Sequence, residues 1–241
     1  MKISVCLAMY NGANYLVPQI RSILDQLRQS DEIVVVDDCS QDESVQIVNA
    51  FGDSRIRLIR NDSNLGILAT FERALRESTG DILFLSDQDD IWRSDKVERV
   101  VSAFASDSAI TLVVSDAQVI DAAGNVTAPS FFRQRGVFSA GVFHNLVKNK
   151  YLGCTMAFRR SMLVHFLPIP ADVPMHDMWF GLLNGIYGRT SFIDQTLIAY
   201  RRHGNNVSPS AGASPLKRMV WRWRLIKNLL SRVFHSRIDG I

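Results

Sequence analysis

The chain has 241 residues, 47% of them hydrophobic and 21% charged, and this ordinary globular composition excludes disordered, collagen-like and low-complexity classes. A chain of this length can bury a sizeable core without disulfides or a structural metal. Three widely spaced cysteines offer neither a disulfide framework nor a CxxC zinc site, so we expect a reducing, cytoplasmic compartment. We also expect no signal peptide and no membrane span, because no apolar run approaches about 18 residues.

Apolar strand-like runs alternate with amphipathic helical patterns over the first third of the chain. The pattern predicts strands at 3–9, 33–36, 56–59 and 82–85, with helices at 15–28, 43–51 and 68–77 between them. This order predicts an α/β fold with a Rossmann-like, mostly parallel sheet and helices on both faces. The strands are continuously apolar, which is typical of strands covered on both sides.

The order of elements becomes irregular after the first third. The pattern predicts helices at 96–105, 143–148 and 176–187 and strands at 110–120, 153–158 and 191–199. Residues 209–215 are rich in small residues and proline and are interpreted as a linker into a tail at 216–241. We therefore predict one folded domain over 1–208, followed by a linker and a tail.

Polar residues follow three of the predicted strands, at 8–12, 37–40 and 86–90. In open α/β sheets ligands bind where the strands end, so these loops are the candidate site. Asp87 and Asp89 are two residues apart in extended chain and can therefore address one hard cation through oxygen ligands. The alternative is that Asp90 and Ser94 only begin the next helix. The chain has neither a G-x-x-x-x-G-K-[ST] loop nor a G-x-G-x-x-G turn after the first strand, which disfavours an NTPase or a dehydrogenase.

Seven segments, taken in order, resemble the family 2 nucleotide-sugar glycosyltransferases of the GT-A fold type. They lie at 8–12, 35–42, 64–66, 85–92, 151–158, 175–179 and 200–206, and the last three are similar to a bacterial rhamnosyltransferase-like branch. The resemblance covers about residues 1 to 208 and leaves the tail outside it. It implies a nucleotide-sugar half at 1–109 and an acceptor half at 110–208.

The resemblance also implies roles for individual residues. Asp177 would be the catalytic base, and Asp89 and His203 would lie at a divalent cation, Mg²⁺ or Mn²⁺. Asp38 would bond the uracil or thymine base, and Asp87 would lie towards the ribose. The implied donor-binding residues are Ala8, Tyr10, Asn11, Asp38, Asn64, Gly66, Asp87 and Gln88, and the implied acceptor residues are Asp116, Trp92 and Trp179.

Several of these positions have simpler interpretations. Asp177 opens a predicted helix and could serve only as its cap. Asp116 has either an acceptor-side role or that of a strand-end acid facing solvent. Trp92 and Trp179 could form a sugar platform or belong to the core. His176 departs from the family pattern, in which many relatives carry Glu, and it is not assigned a catalytic role.

The resemblance implies an inverting, metal-dependent glycosyltransferase that moves a sugar from a nucleoside diphosphate to a saccharide or lipid-linked glycan in cell-surface polysaccharide synthesis. Rhamnose from dTDP-rhamnose is one candidate donor, and O-antigen or capsule assembly is one candidate setting. The alternative is a non-catalytic nucleotide-sugar-binding or scaffold subunit. Synthases of the same family that add many sugars have a Q-x-x-R-W motif, whereas here Met219 stands three residues before Arg222, which favours a single addition.

The tail is strongly basic, with seven Lys and Arg residues between 217 and 237 and no acidic residue among them. At helical spacing its apolar residues gather on one arc, which predicts a basic amphipathic helix on an anionic membrane surface. The enzyme would then be peripheral on the inner face of the plasma membrane. The alternative is a helix that docks on the catalytic domain or on a second subunit. Nucleic acid is disfavoured, because the body of the chain is slightly acidic.

Overall fold

The computed structural model describes residues 1–136, 138–204 and 214–238. Strands and helices follow one another in this part of the chain in the order β1 (Ile3–Met9), α1 (Leu16–Leu24), β2 (Glu32–Asp37), α2 (Ser44–Ala50), β3 (Ile56–Arg60), α3 (Ile67–Glu77), β4 (Ile82–Asp87), β5 (Ile91–Trp92), α4 (Lys96–Ser106), β6 (Ile110–Ile120), β7 (Val126–Ala128), α5 (Phe131–Arg135), α6 (Val142–Val147), β8 (Met156–Arg159), α7 (Leu163–Phe166), α8 (His176–Tyr187), β9 (Arg189–Arg201) and α9 (Pro215–Ile238).

All the strands belong to one mixed sheet, with the order β3-β2-β1-β4-β8-β6-β9-β5 and with β7 paired to β6. The first four strands are parallel to one another. All seven residues of β1 are buried. Successive side chains of a strand point to opposite faces, so the centre of the sheet is covered on both sides. The predicted α/β fold with a mostly parallel sheet is therefore confirmed.

The second half of the sheet brings the end of β9 close to the acidic loop, which we define as residues 86–90. Strand β8 is antiparallel to both β4 and β6, and β9 runs parallel to β6 with several register shifts. The two-residue strand β5 pairs with the far end of β9, where Ile91 lies opposite Ala199. This pairing brings the end of β9 beside the residues that follow β4.

The structure corrects several predicted boundaries. Residues 153–155 form a 3₁₀ turn, so the predicted strand at 153–158 begins only at Met156. Helix α1 ends at Leu24 rather than at residue 28. Strands β5 and β7 and helix α5 are too short for the periodicity argument to detect.

The tail forms the predicted helix, α9, which docks on the body of the chain. Leu225 and Leu229 are buried. Arg232 donates to the carbonyl oxygens of residues 165, 167 and 168, at 2.8, 2.7 and 2.6 Å. Arg222 donates to the carbonyl oxygens of residues 146 and 147. Among the described ranges, none of the helices combines the length and the apolar character that crossing a bilayer requires. Residues 209–213 of the predicted linker lie outside those ranges.

Candidate active site

The ends of β1, β2 and β4 form the centre of the candidate site. Ala8 is aligned with Val36 on one side and with Asp87 on the other. The loops that follow these strands therefore open at the same edge of the sheet, as ligand sites in open α/β sheets do. Ala8 itself is buried.

The loop after β1 is held by the loop after β2. Asn11 has a left-handed backbone, with φ of 49°, and its side-chain oxygen accepts a hydrogen bond from the backbone of Gln41 at 2.8 Å. Its own backbone N–H donates to Ser40 Oγ at 2.9 Å, and Gly12 donates to Ser44 Oγ at 2.8 Å. Both loops therefore form one preorganised unit, from which the exposed Tyr10 projects.

Asp38 is fully engaged with the segment that precedes α3. One carboxylate oxygen accepts from Asn61 Nδ2 and from the backbone N–H of Leu65, both at 2.8 Å, and the other accepts from the backbone N–H of Gly66 at 2.9 Å. Gly66 has φ of 83°, a conformation that favours glycine. Asn64 is exposed. Asp38 and Gly66 thus shape the loop on which Asn64 is presented.

Gln88, the middle residue of the D-Q-D segment, fastens the acidic loop to the β1 loop. Its Oε1 accepts from the backbone N–H of Tyr10 at 2.7 Å, and its Nε2 donates to the carbonyl oxygen of Tyr10 at 2.8 Å. The side-chain amide therefore pairs with a backbone unit as a neighbouring strand would. Both hydrogen-bonding atoms of its side chain are used by the backbone of Tyr10, so Gln88 positions the loop after β1.

The acidic loop concentrates negative charge in a buried place. One ligand atom each of Asp87, Asp90 and Cys154 lie within 4.8 Å of one another. Burial and, to a smaller extent, the charges of Asp89 and Asp177 together raise the pKa of Asp87 to about 7. Burial and the charges of Asp89 and Asp87 raise the pKa of Asp90 well above its usual value. Asp90 Oδ1 accepts from the backbone N–H of residue 201 at 2.9 Å, while its Oδ2 is buried without a hydrogen-bond partner.

A buried cation lies close to this loop. The Nζ of Lys96 donates to the carbonyl oxygen of Cys154 at 2.7 Å and lies 4.1 Å from the centre of the Trp92 ring. Burial lowers the pKa of Lys96 to about 8, whereas the charges of Cys154, Asp90 and Asp87 act in the opposite direction. Within the described ranges no carboxylate lies within ion-pair distance of Lys96.

The end of β9 brings a histidine and an arginine to Asp89. Nε2 of His203 lies 2.7 Å from Asp89 Oδ2. The Nε of Arg201 donates to the carbonyl oxygen of Asp89 at 2.8 Å. The ring of Tyr15 stacks on His203 at 4.9 Å between ring centres. Asp89 and His203, which the sequence predicts at one site, are therefore close in space although they are 114 residues apart in the chain.

Asp177 begins the buried helix α8. Its Oδ1 accepts the backbone N–H of Met178 at 2.6 Å. Burial raises the pKa of Asp177 to about 7, against the smaller opposing effect of backbone hydrogen bonds. Because the charge of Asp177 contributes to the raised pKa of Asp87, the predicted base and the acidic loop belong to one electrostatic site.

The neighbour of Asp177 has a different role. His176 is buried, and neither of its ring nitrogens has a hydrogen-bond partner. Burial lowers the pKa of His176 to about 3, so its ring is neutral. The ring lies 4.1 Å from that of Phe71, and a Cβ at Gly153 would approach its Nε2 to 2.7 Å. His176 therefore fills space between α3, α8 and the 3₁₀ turn.

The structure does not support the acceptor platform. Trp179 is completely buried, and its Nε1 donates to the carbonyl oxygen of Phe166 at 2.8 Å. Trp92 is also buried, packed at 5.4 Å between ring centres against Phe84. Both rings belong to the core, so neither presents a face to a sugar. Large aromatic residues near a motif are selected for packing as well as for binding, and the sequence does not distinguish the two.

Asp116 is buried and engaged, contrary to the interpretation as a strand-end acid in solvent. Its carboxylate accepts from the hydroxyl of Ser130 and from the backbone N–H groups of Ala117 and Phe132. Asp116 and Ser130 line a cleft that also includes Arg93 and Arg133. Asp116 thus holds α5 against β6 at the base of this cleft.

Sequence reasoning missed Lys96, Cys154 and Arg201. Lys96 lies on the same side of α4 as the buried Val100 and Phe104, and a charged residue on an apolar stripe was the available signal. Arg201 precedes the predicted His203 by two residues in a run of basic side chains. Cys154 offers no sequence signal, because its place beside Asp90 depends on the packing of the 3₁₀ turn against β4.

The donor set fits a hard divalent cation. Carboxylate oxygens are the ligands that Mg²⁺ and Mn²⁺ prefer, and Asp90 Oδ2 is a buried oxygen without a partner. The pKa of Asp87 is raised by burial and by the negative charges of Asp89 and Asp177, and a bound cation would offset that repulsion. Asp87 and Asp90 can therefore contribute oxygen atoms to such a cation, since their ligand atoms lie together with that of Cys154. Asp89 and His203, which are paired with each other, stay predicted ligands.

Comparison with known proteins identifies the family. The profile of "Glycosyl transferase family 2" matches residues 4–166. WfgD of Escherichia coli, named UDP-Glc:alpha-D-GlcNAc-diphosphoundecaprenol beta-1,3-glucosyltransferase, is 25% identical over 240 residues, which cover 97% of this chain and 90% of WfgD. An uncharacterized glycosyltransferase of Nostoc sp. (strain PCC 7120) is 28% identical over 225 residues, covering 89% of this chain and 69% of that protein.

A solved structure has the same fold. The crystal structure of S. aureus TarS 1-349 in complex with UDP-GlcNAc superposes with a TM-score of 0.72 at 19% identity, covering 100% of this chain and 75% of that one. The GT-A type fold expected from the sequence is therefore confirmed. With the family profile matched over most of the chain, this protein belongs to glycosyl transferase family 2 and is a glycosyltransferase.

Proposed function

We propose that this protein transfers a sugar from a nucleoside diphosphate to a saccharide or lipid-linked glycan, with a divalent cation at the acidic loop and with inversion at the anomeric carbon. One observation carries the proposal. Asp177 is buried at the start of α8, and its charge contributes to the raised pKa of Asp87, so the proposed base lies near enough to the donor-side carboxylates for their charges to interact. A carboxylate that only caps a helix would not need to lie near other buried carboxylates.

The reaction assigns one task to each side of the site. The bond between the anomeric carbon and the diphosphate oxygen breaks, and the acceptor oxygen forms the new bond from the opposite face. Asp177 accepts the proton that the acceptor hydroxyl loses. A divalent cation, when bound, would neutralise the charge that develops on the diphosphate. The loop after β1 and the Asn64 loop then bind the nucleoside, with Asp38 holding the Asn64 loop in shape.

The relatives support a choice of donor and acceptor. WfgD is named for UDP-glucose and for an acceptor with a diphosphoundecaprenol lipid, and TarS has been crystallised with UDP-GlcNAc. We propose for this chain a UDP- or dTDP-sugar donor, with dTDP-rhamnose among the candidates, and a lipid-linked acceptor in cell-surface polysaccharide synthesis. Such an acceptor places the enzyme at the membrane surface as a peripheral protein.

Calorimetry and single-turnover assays test this function. The native chain should bind UDP or dTDP in the presence of Mn²⁺ and lose that affinity with excess EDTA. Asp177→Asn should bind the nucleotide as the native chain does and lose turnover, because only the proton acceptor is changed. Asp25→Asn changes an exposed carboxylate outside the site and serves as the matched control. Equal loss of nucleotide binding in Asp177→Asn would contradict the assigned role, and absence of binding to any nucleotide sugar would refute the function.

A further inference from the structure

Helix α9 has two different faces, and one of them is exposed and apolar. The docked face carries Leu225 and Leu229, which are buried, and Arg232, whose guanidinium binds three backbone carbonyls. At 3.6 residues per turn, the residues on the opposite side of the helix form what we call the outer stripe. Its members are Leu216, Met219, Trp223, Ile226, Leu230 and Phe234.

The outer stripe is unusually exposed for its composition. The exposed fraction is 63% for Trp223 and 61% for Phe234, and all six members are exposed. Helix α6 extends the patch. Arg222 of α9 bonds the carbonyl oxygen of Val147, and the side chains of Val147 and Phe143, one turn apart on α6, are 70% and 87% exposed. Exposed apolar side chains on two adjacent helices mark an interaction site.

The charges beside the stripe select the partner. Arg224 and Lys227 are exposed, and residues 214–238 contain no acidic side chain. Lys227 lies 5.7 Å from the centre of the Trp223 ring, so positive charge directly borders the apolar surface. A second copy of this helix would bring basic residues against basic residues. An anionic lipid surface offers opposite charge and an apolar interior at the same time.

We infer that the outer stripe of α9, together with Phe143 and Val147 of α6, inserts into the interface of a membrane that contains anionic lipids. The inference rests on the proposed function in one respect, since a lipid-linked acceptor gives membrane binding its purpose. It also combines the two interpretations of the tail that the sequence left open, a helix on the membrane and a helix docked on the catalytic domain. The face with Leu225, Leu229 and Arg232 belongs to the body of the protein, so the membrane contacts only the opposite side.

The docking of α9 connects this surface to the helix of the proposed base. The guanidinium of Arg232 lies 5.4 Å from the centre of the Trp179 ring, two residues after Asp177 on α8. The carbonyls that bind Arg232 belong to the segment 165–168, and Trp179 Nε1 donates to the carbonyl oxygen of Phe166 in that segment. A membrane bound at the outer stripe therefore holds α8 in a fixed orientation relative to the lipid surface.

Co-sedimentation of the full chain with vesicles tests the inference. Native protein should sediment with phosphatidylcholine vesicles that contain phosphatidylglycerol, and less with pure phosphatidylcholine or at high salt. Trp223→Ser with Phe234→Ser should lower the bound fraction by about tenfold or more, and Arg224→Gln with Lys227→Gln should weaken binding to anionic vesicles only. Val126→Ser and Arg21→Gln alter exposed residues elsewhere and should bind as the native chain does.

Three outcomes would overturn the inference. They are unchanged sedimentation of the Trp223 and Phe234 variant, equal binding to neutral and anionic vesicles, and a dimer in solution that this variant dissociates. The dimer would assign the outer stripe to a second copy of the chain. Nucleotide binding by calorimetry should be the same in all these variants. A protein that binds vesicles but no nucleotide would refute the proposed function and leave the membrane surface standing.

Discussion

Replacing Gly12 by alanine should break the two hydrogen bonds that join the Gln88 side chain to Tyr10 in the loop after β1. A Cβ built at Gly12 would lie 2.4 Å from Gln88 Oε1 and 2.5 Å from Gln88 Cδ, and the three nearest atoms all belong to that side chain. The backbone of Gly12 accepts alanine, since its φ lies outside the positive region. The Gln88 side chain must therefore move, and its hydrogen bonds to Tyr10, at 2.7 and 2.8 Å, are lost.

The expected magnitude follows from those two bonds. Each contributes about 0.5–1.5 kcal/mol, so together they stabilise the folded chain by roughly 1–2 kcal/mol at this partly exposed position. Alanine also restricts the unfolded chain, which stabilises the folded state by about 0.4–1 kcal/mol. Gly12→Ala should therefore lower the free energy of unfolding by about 1 kcal/mol. In a chain of this size that corresponds to a fall of about 2–4 °C in the melting temperature.

A double-mutant cycle tests the physical cause. Gln88→Ala removes the colliding atoms, so adding Gly12→Ala to it should be neutral or stabilising, by up to about 1 kcal/mol. The assay is urea unfolding of the four proteins, with Gln29→Ala as a control that removes an exposed glutamine bonded to Ser54. Each single variant should also weaken UDP binding several-fold in calorimetry, because Gln88 no longer holds the loop after β1, which is proposed to bind the donor. If Gly12→Ala lowers the free energy of unfolding equally with and without Gln88, the substitution does not act through the Gln88–Tyr10 hydrogen bonds, and the reasoning is refuted.

Further predictions concern charge and packing. Turnover should rise with pH through about 7 as Asp177 loses its proton, and a flat pH–rate profile would argue against it as the base. Asp87 binds its proton more tightly when folded, so metal-free stability should fall as pH rises from about 4 to about 7, and Asp87→Asn should raise the melting temperature at pH 8 but not at pH 4. Mn²⁺ should raise the melting temperature of the native chain, and Asp89→Asn or His203→Ala should diminish that rise. Leu229→Ala should cost about 2–3 kcal/mol in urea unfolding, and no loss would mean that α9 is not docked.

The parallel half of the fold was accessible from sequence because its strands are covered on both faces. Such strands consist of uninterrupted apolar runs, as β1 does, and the intervening helices have clear apolar stripes. The carboxyl ends of parallel strands meet at one edge, so the position of Asp87 near Ala8 follows from the order of elements alone. The second half lacks this regularity. Strand β9 shifts register several times against β6, and β5 has only two residues.

Individual roles within the site depend on contacts that periodicity does not encode. The resemblance assigns Gln88 to donor binding, and the structure adds that its side-chain amide pairs with the backbone of Tyr10, 78 residues away in the chain. For Trp179 the sequence leaves a sugar platform and a core position open, and the structure places it in the core. In both cases the residue type is compatible with two roles. The neighbours that the fold places around the side chain decide between them. Asp177 differs, because its proposed role is compatible with its hydrogen bond to the backbone of Met178 in the first turn of α8.

The acidic loop is assembled at the expense of stability. Asp90 Oδ2 is buried without a partner, and burial raises the pKa of Asp87 and Asp177 to about 7. Lys96 lies nearby, but its Nζ is held by the carbonyl oxygen of Cys154 and the ring of Trp92, away from direct contact with a carboxylate. A lysine in direct ion pairs with these carboxylates would satisfy them and compete with any incoming cation. Held at a distance, Lys96 limits the repulsion within the loop and leaves the carboxylate oxygens available to a divalent cation.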